Sequence, residues 1–399
     1  MLAIRHTLEV FFTFLWLGCI SFGGPAAHIG IFQREFVQRR QWLGNDDFSR
    51  LLALVQFLPG PASSQLGFAI GRVQAGLPGA VAAFIGFTLP SAALMLTFAL
   101  GMLAGLGDQY SWLAGIMLGL KWLAVVVVAD AVLTMNRNFC TDGFTRIIAA
   151  AMAALTLATG FMALGGLLLA ALAGSLWWKP AQPPSAAPAT QQKPNGCSLL
   201  WLLPFAAFPL LVLIDSPVTD LINGFFYSGT LVFGGGHVVL PLLQQQFEQQ
   251  LTADALLGGY ALAQAMPGPL FTLATYLGAM LLPSAPVSGA LLATLAVFLP
   301  GFLLLLAVQP YWHLLTQYPR IRAAVGAVNA AVVGLLFATF INPVLTSAGL
   351  WHYSSWQIVI PGLAMLSGVM ALRWLKLPVW ALVLLMIATG LVFQVITHS

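Results

Sequence analysis

Charge is what this sequence lacks most. Of 399 residues only 7% are Asp, Glu, Lys or Arg while 60% are hydrophobic, which leaves too little polar surface to solvate a water-soluble fold of this size. Cysteine is scarce as well: Cys19, Cys140 and Cys197 stand far apart, which excludes a disulfide framework and offers no zinc-ligand spacing. There is no nucleotide-binding loop, no metal-ligand cluster and no catalytic triad, so the sequence points to no enzyme and implies no cofactor and no metal. The basic balance, 15 Lys and Arg against 11 Asp and Glu, comes without the basic helix or aromatic-basic motif of a nucleic-acid binder. What remains is a series of apolar runs, each about 20 residues long and rich in Gly and Pro, the composition of an all-α polytopic membrane protein embedded in a lipid bilayer. The N-terminus, with Arg5, His6 and Glu9 ahead of an apolar run, has no small-residue cleavage site after that run and reads as mature protein rather than a signal peptide.

Helix breakers interrupt the apolar runs at repeated places. In Gln56-Phe57-Leu58-Pro59-Gly60-Pro61-Ala62-Ser63-Ser64-Gln65 the prolines predict a helix stopping near Leu58 and another starting after Pro61, with Ser63, Ser64 and Gln65 in its first turn. The same spacing recurs in Gln264-Ala265-Met266-Pro267-Gly268-Pro269-Leu270-Phe271-Thr272. A second kind of break, Ser21-Phe22-Gly23-Gly24-Pro25 followed by His28, recurs as Phe233-Gly234-Gly235-Gly236 with His237. Gln33 and Phe36 match Gln244 and Phe247, and Leu89-Pro90 matches Leu299-Pro300, at nearly the same offset. Such agreement predicts two repeats, residues 1–178 and 221–399, joined by a Pro-rich cytoplasmic linker at 179–198 and a connecting membrane helix at 199–220.

Within each half, two broken helical hairpins and about four spanning helices are expected. The apolar segments are Leu77–Ala104, Ser111–Thr134, a hairpin Ile147–Trp178 loosening at Ala158-Thr159-Gly160, Leu199–Ile214, Val287–Val308, Ala323–Ile341, and a last hairpin Trp356–Ala371 with Val379–Ile396. The polar loop Gln33–Arg50 carries four arginines, whereas its counterpart Gln244–Asp254 carries no Lys or Arg; the turn near Asp108 has no base, whereas its counterpart has Arg320 and Arg322. Because cytoplasmic loops collect Lys and Arg, the halves should have inverted topology. If the broken segments are re-entrant, all Lys and Arg except Lys121 fall on the cytoplasmic side; if they cross completely, the four loop arginines move outside.

Four breaks bring helix N-termini to mid-membrane, where unpaired N–H groups, dipole ends and hydroxyls make an anion site; the bland alternative is that Gly and Pro merely permit kinks and close packing. Lys121 lies mid-span, either drawing in an anion or held in a structural pair. Asp130, on the opposite face, cannot be its simple partner and reads as interfacial. His28 and His237 are candidates for proton coupling or for donating to substrate, or else satisfied structural groups. Gln56 and Gln264 can donate to an anion or cap carbonyls, and Glu35, Asp46 and Asp47 read as solvated surface. The candidate binding set is therefore Ser21, Gly23, Gly24, His28, Gln56, Pro59, Gly60, Pro61, Ser63, Ser64 and Lys121 in the first half, with Gly234, Gly235, Gly236, His237, Gln264, Pro267, Gly268, Pro269 and Thr272 in the second.

The first-half stretches Ser21–Pro25, Gln33-Arg34-Glu35-Phe36 through Trp42-Leu43, and Gln56–Pro61 with Ser63–Gly67, together with Phe233–His237 and Gln264–Pro269, resemble the signatures of the chromate ion transporter family in its long, two-domain form. The resemblance covers nearly the whole chain. It implies a bacterial inner-membrane protein that exports chromate, a sulfate-like dianion, and confers chromate resistance. The second half departs from the first where Lys121 faces Asn329 and Asp130 faces Ala338, so the two halves need not do equal work. Combined with the breaks, the expectation is an alternating-access secondary transporter of an oxyanion. A sulfate or other small-anion carrier, an anion channel and a chromate-reducing membrane enzyme are the alternatives, and a homodimer is compatible on general grounds.

Overall fold

The computed structural model describes residues 2–105, 110–159, 163–178, 196–208, 213–346 and 359–398. Every regular element among them is helical, as a chain whose backbone groups must find partners inside a bilayer requires. The expected turn at Asp108, the loosening at Gly160, most of the linker, and Trp356 lie outside the described residues.

The chain opens with α1 (Leu2–Ile20), breaks at Ser21–Gly23, and resumes as α2 (Gly24–Phe32). Gly23 sits in the left-handed region at φ 101° and Pro25 occupies the first turn of α2, the arrangement that lets a chain stop one helix and start another within three residues. A short π-helical stretch, Gln33–Arg39, extends α2, and α3 (Asn45–Phe57) follows. Only residues 40–44 of the stretch expected to be a polar loop are therefore non-helical. Glu35 is also not the solvated carboxylate expected: its side chain is 12% exposed and is paired with Arg39 at 3.1 Å and Arg40 at 2.6 Å.

Next, α3 ends at Phe57 with Leu58 extended, and α4 (Ala62–Leu103) begins directly after Pro61. Its two arms are separated by non-helical backbone at Ala75 and Gly76. Then come α5 (Ser111–Phe139) and the short antiparallel pair α6 (Gly143–Thr159) and α7 (Ala163–Trp177). Asp142 fastens this pair, accepting from the Thr145 amide at 2.8 Å and from the Trp178 indole at 2.8 Å.

Of the single helix expected over Leu199–Ile214, residues 209–212 lie outside the described residues; before them a 3-10 turn, Gly196–Leu202, leads into a five-residue helix, α8 (Leu203–Ala207), with Pro204, which lacks an N–H, in its first turn. The second half contains α9 (Pro217–Leu231), a 3-10 turn Gly236–Val238, α10 (Val239–Phe247), α11 (Ala253–Ala265), a 3-10 turn Leu270–Thr272, and α12 (Leu273–Leu281). It continues with α13 (Pro286–Val308), α14 (Trp312–Gln317), α15 (Pro319–Thr339), α16 (Val359–Arg373) and α17 (Val379–His398). Among the described residues five segments can cross a membrane by length and composition: Ala62–Leu103, Trp112–Phe139, Pro286–Tyr311, Pro319–Leu345 and Val379–Thr397.

Corresponding elements make corresponding contacts. In the first half α1 packs along α4, and in the second α9 packs along α13. The closing hairpins are exchanged: α6 and α7 lie against α15, while α16 and α17 lie against α5. At the centre α4 meets α13, where Phe68 stacks on Phe302 with ring centroids 4.4 Å apart and Phe84 lies 5.1 Å from Phe298. Each half completes the other, and breaks of the two halves are brought into contact, with Ser21 buried while Phe22 and Gly23 stay exposed.

Candidate functional site

The four breaks meet in pairs across the two halves. The Gly60 amide, inside the first Pro-Gly-Pro, donates to the Val232 carbonyl at 2.7 Å, just ahead of the second glycine break. Reciprocally, the Gly268 amide, inside the second Pro-Gly-Pro, donates to the Ser21 carbonyl at 2.7 Å, just ahead of the first. Each Pro-Gly-Pro also rests on a proline-containing turn of the opposite half. A Cβ on Gly60 would sit 3.0 Å from the Gly301 Cα beside Pro300, and one on Gly268 would sit 2.7 Å from the Ser91 Oγ beside Pro90. Both glycines have positive φ, 121° and 103°, so only glycine satisfies the backbone and the space together.

Within this frame the sequence-derived candidates separate. Ser63 and Ser64 are buried in the first turn of α4, as expected, and Ser64 Oγ has no hydrogen-bond partner. Their second-half relative Thr272 is committed locally, its hydroxyl donating to the Pro269 carbonyl at 2.9 Å. Pro59 and Pro61 flank the first break and Pro267 and Pro269 the second. The Pro59 carbonyl accepts from Gln65 Nε2 at 3.0 Å, and the same amide reaches the Gly301 carbonyl at 2.9 Å. This makes Gln65 a clamp between the halves. Ser21 is fully buried with its hydroxyl unpartnered.

The two histidines are not equivalent. His28 lies one turn beyond Gly24, and its Nε2 meets the Ser21 carbonyl at 3.2 Å. Since a carbonyl only accepts, that nitrogen is spent as a donor on the break itself, and the ring packs edge-on against Phe87. His237 instead has Nδ1 at 2.7 Å from the Tyr260 hydroxyl and 3.3 Å from Gln264 Nε2. Gln264 is 8% exposed, whereas Gln56, its counterpart, is exposed on α3. The glutamine repeat in sequence is thus not a repeat of environment.

Lys121 is not part of the break cluster. Its ammonium pairs with Asp254 at 2.8 Å, at the N-terminal end of α11, whereas Gln264 lies at the other end, about 15 Å away along the axis. Asp130 is likewise engaged, with Arg373 at 2.9 Å. Both are ion pairs across the two halves.

Sequence reading missed two residues here. Tyr260 stands one helical turn before Gln264, a spacing that places both on one face. Asn329 is buried with Oδ1 unpartnered, and a Cβ on Gly234 would lie 3.5 Å from that oxygen; a lone amide deep in an apolar span signals itself by the same cost argument applied to Lys121. Gly23, Gly24, Gly235 and Gly236 supply backbone at the glycine breaks, with α2 starting at Gly24 and a 3-10 turn at Gly236. The chemistry is rich in neutral hydrogen-bond groups, and no described Asp, Glu, Lys or Arg lies in any of the four breaks. Such a site can hold an anion through many weak donors and still release it.

The family model described as Chromate transporter matches residues 8–176 and 219–391. A Chromate transport protein of Cupriavidus metallidurans is 30% identical over 334 residues, 81% of this chain and 79% of that one. A Probable chromate transport protein of Synechococcus elongatus is 28% identical, covering 81% of both chains. An uncharacterized transporter of Methanocaldococcus jannaschii is 26% identical over 84% of both. No solved structure matches this chain.

Proposed function

This chain belongs to the chromate transporter family, and from that premise we propose that it is a secondary transporter that moves chromate out of the cell across a bacterial inner membrane and so confers chromate resistance. One observation carries the reading: a Cβ on Gly236 would lie 3.7 Å from Pro25, so the two glycine breaks adjoin, and with each bonded to the opposite Pro-Gly-Pro through Gly60 to Val232 and Gly268 to Ser21, helix ends from both halves border one region in place of two. In it a tetrahedral dianion meets the first turns of α2 and α4, the Ser64 hydroxyl and the His237 ring. Inverted repeats that rock about this region would expose it alternately to either side.

Energetics favour the direction. With the interior negative, moving two negative charges outward releases about 4.6 kcal/mol per 100 mV, twice the single-charge figure. Export therefore needs no ATP, in keeping with a sequence that carries no nucleotide loop.

The test is labelled chromate flux in everted membrane vesicles under an imposed potential. Vesicles containing the protein should accumulate chromate, sulfate should compete, and Ser63→Ala/Ser64→Ala should reduce uptake at least tenfold while the protein remains inserted. Uptake of sulfate but not chromate would reassign the substrate, and initial rates that rise linearly with chromate without saturating or being competed by sulfate would make the protein a channel.

A further inference from the structure

The second half contains a hydrogen-bonded triad that the repeat in the first half does not reproduce. Tyr260 is fully buried and Gln264 nearly so. Gln264 Nε2 lies 3.2 Å from the Tyr260 hydroxyl and 3.3 Å from His237 Nδ1, and the hydroxyl lies 2.7 Å from the same Nδ1. An amide nitrogen can only donate, so it bonds to the phenol oxygen at 3.2 Å, and its approach to Nδ1 at 3.3 Å opposes a proton on that nitrogen. With Nδ1 unprotonated, the short 2.7 Å contact has the phenol donating to its single lone pair. With Nδ1 accepting, a neutral imidazole must carry its proton on Nε2, which points to the other side of the ring, away from Tyr260.

We infer that Tyr260 and Gln264 are positioning residues that hold His237 as a neutral Nε2–H donor, and that this N–H binds the oxyanion at the second glycine break. The inference rests on the proposed oxyanion site and adds residues and a protonation pattern to it. His237 follows Gly235 and Gly236 directly, and the hydrogen bonds that hold its ring are both on Nδ1, from α11, which leaves the Nε2 edge as the one for substrate. His28 cannot do the same, because its N–H is directed at the Ser21 carbonyl. Asp130 is the carboxylate within electrostatic reach of His237, and its charge is taken up by Arg373 at 2.9 Å. A neutral donor attracts the dianion without an ion pair that would oppose its release. In the first half the residue aligned with His237 is Ala26, and those aligned with Tyr260 and Gln264 are Leu52 and the exposed Gln56, so the substrate-holding ring belongs to one half alone.

The experiment combines a spectroscopic and a kinetic reading on the full-length protein reconstituted in liposomes. With 15N-labelled histidine, the signal lost in His237→Gln identifies this ring; the expected pattern is a bare Nδ1 and a protonated Nε2, giving way to a tautomer mixture in Tyr260→Phe. In transport, Tyr260→Phe should raise the chromate KM about tenfold with kcat within twofold. Should Tyr260→Phe fail to insert, Gln264→Met, which keeps the phenol, should shift both readings in the same direction. A protonated Nδ1 in the wild type, or a loss of kcat with KM unchanged, would overturn the inference while leaving chromate transport standing. Wild-type liposomes that show the expected tautomer yet move no chromate would instead overturn the transport reading on which it rests.

Discussion

The backbone amide of Gly268 and the carbonyl of Ser21 lie 2.7 Å apart, joining residues 247 positions distant in sequence (268 less 21). The bond links a break in one half to a break in the other, and its mate, Gly60 to Val232, does the same in reverse. Two peptide groups that would otherwise be exposed by broken helices deep in an apolar environment are thereby satisfied. An unsatisfied group there costs several kcal/mol, so the breaks are stable only when both halves are assembled.

Gly268→Ala should therefore be severe. The residue has φ 103° and a Cβ would approach the Ser91 Oγ to 2.7 Å. Backbone strain alone costs about 1–3 kcal/mol. Adding Ser91→Gly removes the clash but not the strain, so the double variant should recover part of the thermal stability lost in the single one. Complete recovery would show that φ at this position is unimportant.

Lys121 and Asp254 make a testable contrast with a substrate role. The pair joins side chains 19% and 63% exposed, and a partly exposed pair contributes about 1 kcal/mol or less. Asp254→Asn should lower thermal stability slightly and leave the chromate KM within twofold, and exchanging the two residues should restore what is lost. A tenfold rise in KM for Asp254→Asn would return Lys121 to the anion path.

His28→Gln should be mild and His28→Leu worse, because only the former keeps a donor for the Ser21 carbonyl. The expected difference is about 1 kcal/mol, read by thermal unfolding in detergent. If His28 were instead the proton-coupling group, His28→Gln would abolish the pH dependence of transport with stability unchanged.

Asp142 sets an acid limit on the α6 and α7 hairpin. Its partial burial acts to raise the carboxyl pKa, but hydrogen bonds from Thr145, Trp178 and Phe144 outweigh this and hold it below the usual range. A carboxylate depressed in the folded state contributes stability that is complete above its unfolded value, about 3.9, and lost as pH falls through the lower folded one. Asp142→Asn should cost about 1 kcal/mol at neutral pH and flatten the stability profile below pH 4; the fluorescence of Trp178 reports both. A profile identical to wild type would mean the carboxylate is not what fastens the hairpin.

Much of this is legible in the sequence because prolines and glycines act locally. Pro59 and Pro61 place a helix end near Leu58 and a helix start after Pro61, where α3 ends at Phe57 and α4 begins at Ala62, since a missing N–H and a fixed φ need no tertiary context. The apolar runs mark the helices α5, α13, α15 and α17 for a similar reason. Partnership across the halves is what local sequence does not carry. Nothing in the spacing of Lys121 names Asp254, and the repeat of Gln56 and Gln264 hides opposite environments, because packing against other helices decides exposure. Leu199–Leu202 is apolar enough to suggest an α-helix, but composition does not tell one from the 3-10 turn found there. The exchange of the closing hairpins likewise leaves no local signature.

Whether helix breaks from both halves form a single oxyanion site is tested most directly by the number of chromate ions bound per chain. Equilibrium binding of labelled chromate to the purified protein, with free thiols alkylated, should give one site per chain, weakened by Ser64→Ala in the first half and independently by His237→Gln in the second. Two sites per chain, each sensitive to the variant in its own half alone, would contradict the account.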